Sequence, residues 1–240
     1  DWSSDVCSSD LDVFILYNKG YKKCKKPDYI NYPSLDLVDA YLQVFKHSQD
    51  NGYHNILILE DDFSFDQKIK NKNIINDINS FIKEKTFNNN DNRFVYMLGT
   101  LPWWRIPIST THSRVLLSTG SHSCIYSKSY VNDILKKLDN NPNLNKDQIK
   151  DWDFYLNFNN FTWNRYMYNK PLCYQLFGET ENSKEWGKFN IIWYILAQII
   201  RRVFSLLDLH NSAQPGYQFF YIFARIILLL ILLYIDRKST

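Results

Sequence analysis

The chain reads as an α/β protein, with a mostly parallel sheet flanked by helices and apolar helices at the C-terminus. Three observations predict this. A strand-length apolar run at Asp12–Tyr17 is followed by a helical pattern and then by a second apolar run, His54–Glu60. That is the order of a βαβ unit, which places its strands parallel. Short apolar runs then keep alternating with amphipathic segments as far as Phe177, and from Asn190 long apolar stretches with few charges take over.

The elements follow in order. The opening DWSSDVCSSDL, residues 1–11, is Ser/Asp-rich and repeats SSD, unlike the Asn/Lys/Ile/Phe/Tyr-rich remainder, and is set aside as non-native sequence. It has no apolar stretch of the kind a signal peptide carries. DVFILY predicts a short buried strand, and the basic loop NKGYKKCKK follows it. Ser34 is a candidate helix cap. Leu37, Val38, Tyr41, Leu42, Val44 and Phe45 then recur at helical spacing until Asn51-Gly52 stops them. HNILILE is the next strand. Asn73–Lys85 predicts an amphipathic helix, RFVYMLGT a third strand, and Pro102–Pro107 an irregular stretch because prolines bound it. RVLLSTGSHSCIYS predicts two short β segments around Thr119-Gly120. Ser129–Leu138 and Asp147–Phe158 predict helices, and Pro171–Phe177 a last strand.

From Asn190 the segment FNIIWYILAQIIRRVFSLLDL is apolar round most of its circumference. After Gln214-Pro215-Gly216, the run Tyr217–Ile235 just reaches the length of a spanning helix, ~17 residues or more. Arg225 interrupts it, at a cost of a few kcal/mol in hydrocarbon. A spanning tail, a pair of helices lying in the membrane interface and two buried helices of a soluble domain are the three readings. Membrane contact is the expected one. The organisation is therefore 1–11, a core domain over 12–188, and a membrane-associating helical region over 189–240.

Composition narrows the function. An apolar fraction of 45% supplies a sizeable core, and aromatics at 17% suit either that core or a sugar-facing cleft. A net charge of +3 is too small to argue for nucleic acid as a partner. The four cysteines show neither CxxC nor zinc spacing, so they read as reduced thiols in a cytosol-like compartment.

The densest acidic cluster, Glu60-Asp61-Asp62, stands at the carboxyl end of an apolar strand, where open parallel sheets bind ligands. Carboxylates crowded beside a core repel one another and resist desolvation. A divalent cation with oxygen ligands, Mn2+ or Mg2+, relieves both effects. Glu60 and Asp62 would face the ion and Asp61 a backbone N–H or an outer position. Such an ion could hold a diphosphate. The competing reading is an acidic turn that caps the next element.

LILEDD after a βαβ unit resembles the acidic metal motif of nucleotide-sugar glycosyltransferases of the GT-A fold, and most of all family 25, the lipopolysaccharide and collagen galactosyltransferase type. VYMLGT, STGSHSCIYSKSYVNDIL, DWDFYL and PLCYQLF match in the same order, so the resemblance spans about Val13 to Ser183. It implies a GT-A-like sheet and metal-dependent transfer of a sugar from a nucleotide sugar, a UDP-sugar first of all, to a hydroxyl of a glycan, lipid or protein, with inversion. It implies metal ligands Glu60 and Asp62, donor contacts from Tyr17, Lys22, Asp61 and His122, and Asp153 as the base that takes the acceptor proton, with Asp151 as the alternative. Two features depart from the family: a Lys-rich rather than Arg-rich stretch at Lys22–Lys26, and the C-terminal apolar helices. Either Asp could instead cap the helix that follows. Trp152, Trp103 and Trp104 are candidate sugar platforms or core residues. A cytoplasm-facing catalytic domain at a membrane is expected. Another metal-dependent phosphoester enzyme, or a non-catalytic scaffold with this fold, are the alternatives.

Overall fold

The computed structural model describes residues 13–18, 20, 22–87, 92–140, 149, 151–159, 164–176, 191–207 and 213–239. Its elements are α1 (Pro33–Asp50), β1 (Asn55–Leu59), β2 (Phe63–Phe65), α2 (Lys72–Phe87), β3 (Val95–Pro107), β4 (His112–Ser127), α3 (Lys128–Asn140), the helical turn α4 (Trp152–Phe154), β5 (Arg165–Tyr168), β6 (Cys173–Gln175), α5 (Ile191–Leu206) and α6 (Ala213–Ser239). A turn of π-helix, Tyr155–Asn159, continues α4.

The sheet is mixed and mostly antiparallel, which corrects the parallel arrangement expected from sequence. Its order is β1-β4-β3-β5. β4 runs antiparallel to β1, β3 and β5, and only β3 and β5 pair in parallel. The reason lies at two places. The connection between β3 and β4 is a few residues long and can join only antiparallel strands. The expected first strand is not in the sheet: residues 13–18 have no regular structure, and Val13, Ile15 and Tyr17 are largely exposed. Without it, α1 leads into β1 rather than crossing between parallel neighbours.

Other expectations need adjusting too. Pro33 rather than Ser34 opens α1, with Tyr32 as an N-cap that makes no side-chain cap bond. A proline suits that first position because its missing N–H would have no helical partner there. Pro102–Pro107 is the end of β3, its prolines accommodated by register shifts between Pro102 and Trp104 and between Trp104 and Arg105. The two β segments around Gly120 are one long strand that Gly120 bends, with φ +89°. The helix expected over Asp147–Phe158 is only α4 and its π turn where the chain is described. β2, β5 and the β2–β6 pair were not foreseen.

β3 separates two apolar layers by strand alternation. Val95, Met97 and Leu101 face Val38, Tyr41, Phe45, Tyr126, Tyr130 and Trp152. Phe94, Tyr96 and Leu98 face Ile78, Leu172 and Cys173. At Gly99 a side chain would collide with the Cys173 carbonyl, so glycine there lets the chain before β6 cross close over β3, where Leu172 N–H donates to Leu98 O. The first turns of α6 close the domain: Tyr217, Phe220, Tyr221 and Ala224 are buried, and Phe220 meets Trp103 edge-on at 4.8 Å.

Candidate functional site

β1 ends at Leu59, and the next residues turn into β2, so Glu60 and Asp62 emerge beside the bend of β4. Glu60 N–H donates to His122 O at 2.9 Å, which fixes the carboxylate against that strand. The Tyr41 hydroxyl of α1 donates to Glu60 Oε1 at 2.7 Å, and Ser121 Oγ donates to the same oxygen at 3.2 Å. Burial, with Asp153 and Asp62 as neighbouring negative charges, pushes the Glu60 carboxyl up to about 8 against these hydrogen bonds. Asp62 is also held above the ordinary carboxylate range, by burial first and by Asp61. Its Oδ2 accepts from Gln175 Nε2 at 3.0 Å, while its Oδ1 is buried with no hydrogen-bond partner. Asp61 is exposed.

The two downstream aspartates divide their roles. Asp151 is the N-cap of α4 and accepts from Phe154 N–H at 2.9 Å. Asp153 turns toward β4, where its Oδ2 accepts from Gly120 N–H at 2.8 Å. Ser121, whose hydroxyl donates to Glu60, also acts on the Asp153 carboxyl, so the two acids flank one serine. Burial raises the Asp153 carboxyl, and the Asp151 charge adds to it, while Gly120, Ser121 and the Arg165 guanidinium act the other way. The positive φ at Gly120 therefore presents an N–H to Asp153 and brings the following serine between the acids.

His122 is fully buried, and burial lowers its pKa to about 4 against the opposing effect of the Cys173 backbone, so the ring is neutral. Its Nδ1 and Gln175 Oε1 both lie beside the Gly120 α-carbon. Gln175 in turn holds Asp62. Tyr217 at the start of α6 forms a further wall: its hydroxyl accepts from Gln175 N–H at 2.9 Å, and its ring stands 6.2 Å from that of His122.

Other expected residues lie elsewhere. Tyr17 is exposed and lines a hollow of about 170 Å³ with Ala40 and Gln43 of α1, with no described contact to Glu60 or Asp62. Lys22 sits in an exposed turn, and Lys26 of the same basic stretch is bound to Asp36 and Asp39 at 3.1 and 2.8 Å. Lys26 anchors the loop to α1, because acidic residues on that helix satisfy it first. Trp152 is core rather than a sugar platform: it stacks on Tyr41 at 5.0 Å and its indole N–H donates to the Tyr126 hydroxyl at 2.9 Å. Trp103 packs under α6, and Trp104 is partly exposed. His112 stacks on Phe81 at 4.2 Å. Glu179, Glu181, Lys184 and Trp186 lie outside the described residues.

A divalent cation fits part of this donor set. The unpartnered, buried Asp62 Oδ1 and the raised Glu60 carboxyl are oxygen donors that lack a compensating charge. Among the described residues, however, no three His, Cys, Asp or Glu side chains already converge as a metal centre. Nothing in the sequence tied Tyr41, Gly120, Ser121, Gln175 or Tyr217 to the carboxylates, since each acts through a contact with a residue remote in the chain. No protein-family model and no curated protein matches the sequence, so the reading of this site rests on its residues and their geometry.

Proposed function

We propose that the chain is a metal-dependent glycosyltransferase that moves a sugar from a nucleotide sugar, a UDP-sugar first of all, to an acceptor hydroxyl, with inversion, and works at a membrane with its catalytic domain on the cytoplasmic side. The observation that carries this reading is the gathering of Glu60, Asp62 and Asp153 around Ser121 and Gln175, with buried Asp62 Oδ1 lacking any partner. Glu60 and Asp62 would hold Mn2+ or Mg2+, and the ion would supply positive charge for the diphosphate leaving group. Asp153 would take the acceptor proton. Its raised affinity for protons suits a base working near neutrality, and Gly120 N–H holds one of its oxygens in place. Tyr41 and Ser121 orient Glu60. Membrane contact draws on α6, whose Gly216–Lys238 stretch is long and apolar enough to cross a bilayer.

A second reading has its own support. Glu60 already accepts two hydroxyl donors, as expected of a closed structural cluster in a non-catalytic scaffold. Titration with Mn2+ and UDP decides between them. A melting-temperature rise that needs both ligands supports the transferase, because a ligand that binds only the folded state must stabilise it. No response to the pair favours the scaffold.

A further inference from the structure

α6 changes character along its length. Tyr217, Phe220, Tyr221 and Ala224 are buried against the domain, whereas Ile226, Leu229, Leu230, Leu232 and Leu233 are each about half exposed. At the changeover the helix borders a groove of about 260 Å³, walled by Lys68, Lys170 and Arg225 and floored by Asn169 and Tyr221. None of the lining residues is acidic. Beneath the floor lies a fourth cation. Arg105 is 1% exposed, donates to Asn169 Oδ1 at 3.2 Å and to Tyr221 O at 3.1 Å, and leaves its Nε without a partner. The nearby carboxylate, Asp66, is buried and already accepts from Lys68, from Lys68 N–H and from the Tyr174 hydroxyl. Lys68 is thus neutralised by Asp66, which leaves Lys170 and Arg225 as the groove's cations without an ion pair among the described residues.

Immediately beyond it the helix is apolar from Ile226 to Ile235, with one face, Ile226, Leu229, Leu230, Leu233 and Tyr234, exposed, over a stretch of roughly 15 Å at ~1.5 Å per residue. That is half of a hydrocarbon core of ~30 Å. While its first turns stay packed on β3, α6 cannot cross a bilayer with this remainder. Lying along the surface, the helix returns both its charged points, Arg225 and the Asp236-Arg237-Lys238 end, to the phosphate layer. A cationic hollow continuous with an apolar helix is the complement of an amphiphile with an anionic head.

We propose that the groove of Lys68, Lys170 and Arg225 binds the phosphate of an anionic phospholipid, and that α6 beyond Arg225 rests against the acyl chains of a single leaflet. This rests on the membrane part of the proposed function and is independent of catalysis. Deleting α6 would uncover β3, so the test uses point variants of the full chain. Flotation is measured with vesicles of phosphatidylcholine and of phosphatidylcholine mixed with phosphatidylglycerol. The parent chain should prefer the mixed vesicles. Lys170→Gln and Arg225→Gln, both at exposed positions, should each lower affinity for them about fivefold, the equivalent of ~1 kcal/mol per charge near the surface. Lys136→Gln on α3, a charge away from the groove, should leave it unchanged. An equal loss in the α3 variant, or an undiminished preference in the groove variants, overturns the lipid site. Inorganic phosphate that stabilises the parent chain but not Arg225→Gln, with no added effect of vesicles, would assign the groove to free phosphate instead and also overturns it. A parent chain that floats with neither vesicle overturns the membrane reading itself.

Discussion

The acidic cluster at the end of β1 and the cationic groove beside α6 both hold like charges together, yet they tolerate this in opposite ways. Glu60 is desolvated, so it relieves repulsion by keeping its proton, with its carboxyl pushed up to about 8. Lys170 and Arg225 stand in water, where salt screens their repulsion. The first region should therefore respond mainly to pH and to a cation, the second mainly to ionic strength and to an anion. Burial, more than the number of charges, sets that difference.

The largest expected effect tests the acidic side. Asp62→Ala should abolish the melting-temperature rise produced by Mn2+ with UDP. Asp153→Asn should retain the rise but lower sugar transfer ~10²- to 10⁴-fold, the usual contribution of a general base. Transfer at the parent rate would remove Asp153 from that role, and an unchanged rise in Asp62→Ala would remove the metal site.

Trp152→Ala comes next. The ring is 1% exposed and stacked on Tyr41, so its loss should cost about 3–5 kcal/mol in urea unfolding. A cost near zero would mean that Trp152 is free to serve a ligand rather than to hold the helix that presents Tyr41 to Glu60.

A pH series sharpens the contrast further. The folded-state pKa of Glu60 lies above its ordinary value of 4.5, so the unfolded chain ionises first as pH rises. Stability should then fall between about 4.5 and about 8 and level off above, where the folded state ionises as well. Mn2+ affinity should rise over the same interval, because binding must displace the proton. Glu60→Gln should flatten the stability slope. A parent chain whose stability is level across that interval would contradict the environment assigned to Glu60.

The smallest effect belongs to the groove. Raising the salt concentration should weaken binding to phosphatidylglycerol-containing vesicles several-fold and reduce the penalty of Arg225→Gln. Binding of Mn2+ with UDP at the partly buried carboxylates should change less. Equal salt sensitivity at the two sites would break the comparison.

Much of this was legible residue by residue. The period of Val38, Tyr41, Leu42 and Phe45 defines α1, and Asn51-Gly52 ends it, with Gly52 at φ +69°. The carboxylates after NILIL are where a strand end places them, and the capping preference of aspartate foretold a role for Asp151. Gly120 was visible as a turn residue, but nothing nearby in sequence told that its N–H would meet Asp153, thirty-three positions away. The Lys22–Lys26 stretch held the donor contact expected at Lys22, and only the approach of Asp36 and Asp39 assigned Lys26 to the fold.

By itself, then, the sequence determined the amphipathic helices α1, α2 and α3 and the apolar strand before the acidic cluster, and where its acidic and apolar residues concentrate, because periodicity and turn chemistry act within a few residues. Tertiary structure alone decided that β4 runs against its neighbours, that Asp151 caps while Asp153 faces Glu60 across Ser121, and that α6 is buried over its first turns and bare over the rest. Those outcomes depend on pairing and burial between segments far apart in the chain, and no local pattern encodes which distant partner will arrive.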